Sequence, residues 1–329
     1  MKRLLCLLMI CFCCASCSAL PPEERAFCVA LLIDGNAEEC RVFVRVPRYQ
    51  DNGGYQTLSA SGATLTDALR TLESAAPMRL HWGQLRLIVL SRAWAADIPI
   101  ARTLSDLSGV ENLRLHASVA VTEEKASELA EKLVPASGTR LSKTIDVMAQ
   151  ARHEQGVMPT CAASALLRYG SRQSPVLCGA QISAESFLLG GAWLTDADGF
   201  VRGFLAPEET QILLLMQGEL TRTQLLLPDH AVHLTEARCQ VALADSEATC
   251  RIRLRYDHAD LTPQAVSAET AQACLNVLNQ LQAIGCDALG LGRQAIRHSR
   301  SMADWRDGDF PSRFRRLRWT VEVRSEPAA

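Results

Sequence analysis

The sequence predicts an α+β protein, with a mixed α/β N-terminal region and a C-terminal antiparallel sheet covered by a long helix. Three observations support this prediction. Apolar strand patterns alternate with amphipathic helical patterns in the first part of the chain. Three later strands alternate apolar with charged side chains, which is typical of an antiparallel sheet with one face in water. A long helical pattern over 263–284 lies between the last two of these strands and would cover their apolar face.

Composition and charge limit the classes of protein that the chain can be. It has 329 residues, of which 48% are hydrophobic and 21% are charged, as expected for a folded globular protein. The net charge of −2 gives no general attraction to nucleic acid, and no nucleic-acid partner is expected. We predict a signal peptide at 1–16, an N-terminal mixed α/β region at 17–185 with enough chain for two subdomains, and a C-terminal α+β domain at 186–329. The boundary follows a stretch over 152–183 that is rich in glycine and proline.

The first twenty residues have the pattern of a secretory signal peptide. Lys2 and Arg3 are followed by an apolar run over 4–14 and by small residues over 15–19. The apolar run is much shorter than the about 20 residues that a membrane-spanning helix needs. Its cysteines serve as small apolar side chains in this segment. The rest of the chain is therefore predicted to work outside the cytoplasm.

Two cleavage sites remain open from these residues. Ala15, Ser16 and Cys17 form a lipobox, in which Cys17 receives a diacylglyceryl group and becomes the mature N-terminus. Cys14 stands where a lipobox normally carries Leu, Ile or Val. Alternatively, an ordinary signal peptidase cuts after Ala19 and releases a soluble protein.

The N-terminal region has the periodicities of a mixed α/β unit. Two strand patterns separated by an Asp-Gly turn predict a hairpin, and Thr64 is the expected N-cap of the first helix. The predicted strands are 26–35, 39–46, 85–91 and 113–122, and the predicted helices are 64–72, a segment between the last two strands that breaks at Pro99, and 122–135.

The C-terminal region opens with a predicted hairpin over 186–205, which turns at an Asp-Ala-Asp-Gly sequence. A helix over 206–220 follows, with Pro207 in the first helical position. The long helix over 263–284 ends at Gly285. The three strands with one charged face are 237–243, 250–256 and 318–325.

Eight cysteines follow Cys17, and none of them forms a CxxC pair, so a structural zinc site is not expected. An even number of cysteines in an exported protein permits disulfides. Cys239 and Cys250 are the candidate pair, because a turn at Ala244 and Asp245 would set them opposite each other. The alternative is that these cysteines are buried apolar thiols.

Motifs with catalytic or cofactor chemistry are weak in this chain. The stretch 290–295, GLGRQA, matches a loose dinucleotide fingerprint, but a helix end precedes it instead of a strand. His230 and His233 are three residues apart in a segment that reads as strand or loop, and His258 follows the end of another strand. No GxSxG elbow, phosphate-binding loop or HExxH helix is present in the sequence. We therefore predict a binding or assembly protein that is not an enzyme and has no cofactor or metal.

Several segments in order resemble the C-subunit lipoproteins of spore germinant receptors, the Ger(x)C family. The resemblance covers nearly the whole chain. The segments that carry it are LLIDG (31–35), GATLTDALRTL (62–72), WGQLRLIVLS (82–91), GAWLTDADGFVRGFLAPEETQILLLMQG (191–218), DALGLG (287–292), and Trp305 and Phe310-Pro311 before the final strand. The chain departs from the family pattern at 18–24, SALPPEE, where family members usually have a tryptophan and an acidic residue.

The resemblance implies a non-enzymatic subunit of a nutrient germinant receptor, anchored by lipid on Cys17 to the outer face of the inner spore membrane. It implies two membrane-embedded partner subunits, one of them transporter-like, in a complex that turns a nutrient signal into germination. One alternative is an extracytoplasmic solute-binding lipoprotein, which needs a ligand pocket between the two predicted units. Another is a secreted hydrolase that uses one of the three histidines.

Overall fold

The protein is described by a computed structural model, which covers residues 24–48, 54–135, 139–150, 156–184, 186–228, 230–244, 246–257, 261–298, 301 and 309–328. Before residue 200 the strands are β1 (Arg25–Phe27), β2 (Ala30–Gly35), β3 (Cys40–Pro47), β4 (Tyr55–Gly62), β5 (Arg79–His81), β6 (Leu87–Ser91), β7 (Ser118–Thr122), β8 (Val176–Ser183) and β9 (Ser186–Thr195). The helices of this part are α1 (Leu65–Ala75), α2 (Arg92–Asp97), α3 (Ile100–Ser108), α4 (Ala126–Lys132), α5 (Leu141–Gln150) and α6 (Ala162–Gly170).

The remaining elements form the C-terminal part of the chain. Its strands are β10 (Val201–Leu205), β11 (Thr223–Leu226), β12 (Ala231–Ala244), β13 (Glu247–Asp257) and β14 (Arg318–Pro327). Its helices are α7 (Pro207–Met216), α8 (Pro263–Ile284), α9 (Leu291–His298) and α10 (Phe310–Phe314).

The largest sheet has eight strands in the order β10-β9-β8-β7-β6-β2-β3-β4. Its four central strands run parallel, and the strands at each side are antiparallel. Strand β6 is buried along its whole length: Leu87 and Val89 face one apolar core, while Ile88 and Leu90 face the other. A strand covered on both faces reads as a continuous apolar run, which is why the sequence shows no alternation here.

The second sheet has four strands in the order β11-β12-β13-β14. The helix α8 covers one of its faces, where Cys274, Leu278 and Leu281 share a core with the apolar side chains of β12 and β13. The predicted α+β fold class is confirmed.

The final strand departs from the prediction, because β14 pairs in parallel with β13. The prediction that this sheet is wholly antiparallel is therefore wrong. The long helix α8 lies between β13 and β14 in the chain and returns it to the end of the sheet from which β13 started. Such a crossover joins parallel strands, whereas a hairpin joins antiparallel ones. Alternation alone identifies the buried face of a strand and not the direction of its partner.

Two further details differ from the sequence-based expectation. The predicted strand 26–35 is divided into β1 and β2, and β1 leaves the large sheet to pair in parallel with β5. The predicted domain boundary at 185 and 186 falls in the chain between β8 and β9, which are neighbours in the large sheet. That sheet continues through β10 to residue 205, and the division into two domains stays a prediction.

The ends of the predicted helices follow their local chemistry. Thr64 is the N-cap of α1 and accepts a hydrogen bond from the Asp67 N–H at 3.1 Å. The bounds of α8 are those predicted, with Pro263 in its first turn. Gly285, at φ 81°, ends α8 in the left-handed conformation that glycine adopts without steric cost.

Candidate functional site

Cys17, the predicted lipidation site, lies outside the described residues, which begin at Glu24. The first described strand, β1, starts at Arg25. None of the helices in the described ranges combines the length and apolar character that a membrane crossing needs.

The structure brings Cys239 and Cys250 together. They lie on adjacent strands, β12 and β13, with their Sγ atoms 3.5 Å apart, and both are free thiols. They are diagonal neighbours, since Cys239 stands opposite Ile252 and Cys250 stands opposite Val241. The predicted directly opposite placement is therefore wrong, because the register pairs Ala244 with Glu247, which shifts the strands by one position from the expected turn.

The two thiols differ in their environments. Their mutual hydrogen bond lowers the pKa of Cys239 below its ordinary value, and the same bond together with burial raises the pKa of Cys250. Cys274, on the helix α8 that covers them, has its pKa raised to about 12 by burial. Cys239 is partly exposed, whereas Cys250 and Cys274 are buried, so Cys239 is the thiol of this group that an oxidant reaches first.

The histidines do not converge on one site. His230 Nδ1 lies 2.9 Å from Glu269 Oε1, which joins the start of β12 to α8. His233 is exposed on β12 and stands opposite Gln224 and Asp257 in the neighbouring strands. His258 lies outside the described residues. Within the ranges that the structure describes, no three His, Cys, Asp or Glu side chains are grouped to hold a metal ion.

The dinucleotide-like stretch 290–295 begins at Gly290, in the turn before α9, and continues into the first residues of that helix. The Asp287 carboxylate accepts hydrogen bonds from the N–H groups of Leu291 at 2.9 Å and of Gly292 at 2.7 Å. These are the donors that a bound phosphate would use at a helix N-terminus. The chain's own carboxylate already occupies them, and Gly290 at φ 73° provides the left-handed turn.

Asp287 is a buried polar residue that the sequence motifs did not indicate as a site residue. It is 5% exposed, its own N–H donates to Ser174 Oγ at 3.1 Å, and burial raises its pKa to about 6. The signal in the sequence was an aspartate four residues before a helix start. An aspartate at that spacing is common in sequences, so the burial in the structure is what distinguishes Asp287.

Two concave regions bear on the solute-binding alternative. A cleft of about 770 Å³ lies in the N-terminal region, between α1, β5 and the end of α3. Charged side chains line it, and Arg79 and Glu111 form an ion pair across 3.4 Å. A smaller pocket of about 260 Å³ lies between the α6–β8 connection and the segments around Asp287 and Phe310. The pocket that spans the predicted domain boundary is thus smaller than the 300 to 1,000 Å³ typical of small-molecule sites.

Comparison with known proteins supports the family resemblance. The spore germination protein N-terminal domain matches residues 19–178. The fold is similar to the crystal structure of the GerBC protein, with a TM-score of 0.56 and 12% sequence identity, over 91% of this chain and 97% of that chain. No curated protein matches the chain. The matched domain and the order of motifs together confirm the resemblance of the chain to the Ger(x)C family of spore germination proteins.

Proposed function

We propose that the protein is a lipid-anchored, non-enzymatic C subunit of a nutrient germinant receptor and is required for nutrient-triggered germination. In this proposal a diacylglyceryl group on Cys17 holds the chain on the outer face of the inner spore membrane. Its partners are two membrane-embedded receptor subunits, one of them transporter-like. The observation that carries the proposal is the position of the family domain, which begins at residue 19, two residues after Cys17.

The lipid tether explains how a chain without a spanning helix in its described ranges would stay beside membrane-embedded partners. A single acyl chain binds membranes weakly and reversibly, whereas two chains anchor a protein stably. A diacylglyceryl group supplies two chains. Confinement to a thin layer beside the partners also raises the effective concentration for assembly.

Substitution of the lipidated cysteine tests the proposal. Cys17→Ala should move the protein from the membrane fraction to the soluble fraction and slow nutrient-triggered germination. Cys11→Ala is the matched control, because it removes a leader thiol that the lipobox does not use, and it should behave as wild type. Normal membrane fractionation and normal germination of the Cys17→Ala strain would contradict the proposal.

We also propose that Cys239 and Cys250 form a disulfide when the exported chain meets a disulfide-bearing thiol oxidoreductase. The Cys239 thiolate attacks the disulfide of that oxidant and forms a mixed disulfide, with one oxidant sulfur leaving as a thiolate. The Cys250 sulfur then loses its proton and attacks the Cys239 sulfur, which forms the Cys239–Cys250 bond and releases the second oxidant sulfur as a thiolate. Two electrons pass to the oxidant, which ends as a dithiol. The support for this proposal is the 3.5 Å separation of the two sulfur atoms.

A further inference from the structure

Three arginines lie in one row across the exposed face of the four-stranded sheet. Arg238 on β12 stands opposite Arg253 on β13, and Arg253 stands opposite Arg324 on β14. All three side chains are exposed. Adjacent strands are about 4.8 Å apart, so the row places three guanidinium groups within about 10 Å at their bases. We call Arg238, Arg253 and Arg324 the arginine row.

The neighbouring rows place opposite charges beside each other. On one side, Arg251 forms an ion pair with Glu322 across 3.1 Å. On the other side, Arg255 stands between Glu236 and Glu326, with nitrogen–oxygen distances of 3.9 and 4.0 Å. Among these rows only the arginine row sets like charges directly opposite one another, an arrangement that destabilises a sheet.

Two members of the row also lack carboxylate partners. Arg238 reaches Glu236 along its own strand at 2.8 Å. Neither Arg253 nor Arg324 has an ion-pair partner among the residues that the structure describes. Their guanidinium groups therefore keep all their donors for an external anion, and guanidinium binds carboxylate or phosphate with two parallel hydrogen bonds.

We propose that the arginine row is a docking surface for a short acidic segment of a partner protein. An occupant with carboxylates at this position would offset the repulsion between the three arginines and complement their charge. The glutamates at 236, 322 and 326 flank the row on both sides, so a segment as narrow as one extended strand fits the charge pattern.

The same flanking glutamates argue against a broad anionic surface such as a lipid bilayer. A flat layer of phosphates laid over this face would meet those glutamates as well as the arginines. A single-stranded nucleic acid is also a poor fit, because the arginine row and its two neighbouring rows contain no aromatic side chain on which a base could stack. Since no apolar side chain is central to the surface, binding would be modest in affinity and sensitive to salt.

Binding of a fluorescent oligoglutamate peptide to the full-length chain in uncharged detergent tests the proposal. We expect binding by fluorescence anisotropy at low salt and a clear weakening at physiological salt. The double variant Arg253→Gln, Arg324→Gln should weaken binding by about tenfold. The double variant Arg253→Lys, Arg324→Lys should bind the peptide with an affinity between those of the wild type and the glutamine variant. Lysine keeps the positive charge and loses the two parallel hydrogen bonds of the guanidinium group.

A matched control separates the row from net charge. The double variant Arg41→Gln, Arg70→Gln removes two exposed arginines from the large sheet and α1 and should bind the peptide as wild type does. Equal loss in this control and in the row variant would overturn the proposal, as would a wild-type chain that does not bind the peptide. Vesicles containing anionic phospholipid form a further arm. If the vesicles bind through the arginine row and the peptide does not, the proposal that the occupant is an acidic protein segment is wrong.

Discussion

The guanidinium group of Arg45 donates two hydrogen bonds to the carbonyl oxygen of Leu133, with distances of 3.3 Å from Nε and 3.2 Å from Nη2. Leu133 follows α4, and Arg45 lies on β3, so the contact fastens the end of the helix to the large sheet. The remaining nitrogen, Nη1, donates to Thr57 Oγ1 at 3.0 Å. Arg45 is 4% exposed, and burial lowers its pKa below the ordinary value.

We predict that Arg45→Met strongly destabilises the protein. The change leaves the buried Leu133 carbonyl without these donors and should lower the free energy of unfolding by about 2 to 4 kcal/mol. Urea denaturation would measure the change. Arg41→Met is the matched control on the same strand, because its ion pair with Glu39 is exposed and should contribute less than about 1 kcal/mol. Equal effects of the two substitutions would contradict the role assigned to Arg45.

The raised pKa of Asp287 predicts a pH dependence of stability. Its folded-state pKa of about 6 lies above the ordinary value near 3.9, so the folded protein holds this proton more tightly than the unfolded chain. The resulting stabilisation is fully present below about pH 4 and is lost as the pH rises through about 6, by about 3 kcal/mol in total.

The variant Asp287→Asn cannot titrate and should lack this component. Urea denaturation at several pH values would measure the free energy of unfolding of the wild type and of the variant. The difference between the two free energies should change between about pH 4 and pH 6. Other carboxyl groups titrate in both proteins and cancel in the difference. A difference that stays constant with pH would contradict the raised pKa.

The arginine row predicts a stabilising substitution in the absence of any ligand. Arg253→Thr removes the like-charge contacts with Arg238 and Arg324 and introduces a residue that favours strands. We expect a gain of about 0.5 kcal/mol, or a rise in Tm of about 1 to 2 °C. Thermal unfolding followed by circular dichroism would measure it. Arg251→Thr, two residues away on the same face, is the control and should give no gain, since it breaks the pair with Glu322.

The disulfide proposal predicts a measurable covalent change. After oxidation, mass spectrometry of the peptides should show Cys239 joined to Cys250, with the loss of two hydrogen atoms. The bond would close a short loop and should raise the free energy of unfolding by up to about 3 kcal/mol relative to the reduced protein. Cys161, which is partly exposed, should stay open to alkylation under the same conditions. Alkylation of both Cys239 and Cys250 in the oxidised sample would contradict the proposal.

Local chemistry made some elements predictable from the sequence. The bounds of α8 follow from Pro263 at its start and Gly285 at its end, because these residues act within one helical turn. The hairpin of β2 and β3 followed from two strand patterns around an Asp-Gly turn, and the observed register pairs Gly35 with Cys40.

The candidate sites were less predictable, because they depend on register. A shift of one position at the β12–β13 turn made Cys239 and Cys250 diagonal instead of opposite, although it kept their sulfur atoms within contact. Asp287 owes its raised pKa to burial, and its N–H donates to Ser174 Oγ, which is distant in the chain. The pattern of residues next to Asp287 in the sequence does not predict a contact with a residue so far away in the chain.

The sequence by itself determined the family resemblance, the helices with strong caps and the buried face of each alternating strand, since these depend on residues close together in the chain. Tertiary structure alone decided the parallel pairing of β14, the burial of Arg45 and the alignment of Arg238, Arg253 and Arg324. Side chains alternate between the two faces of a strand, so the sequence determines which of them share a face. Which strand becomes the neighbour, and in which register, is decided by how α8 packs across the sheet and returns the chain to it.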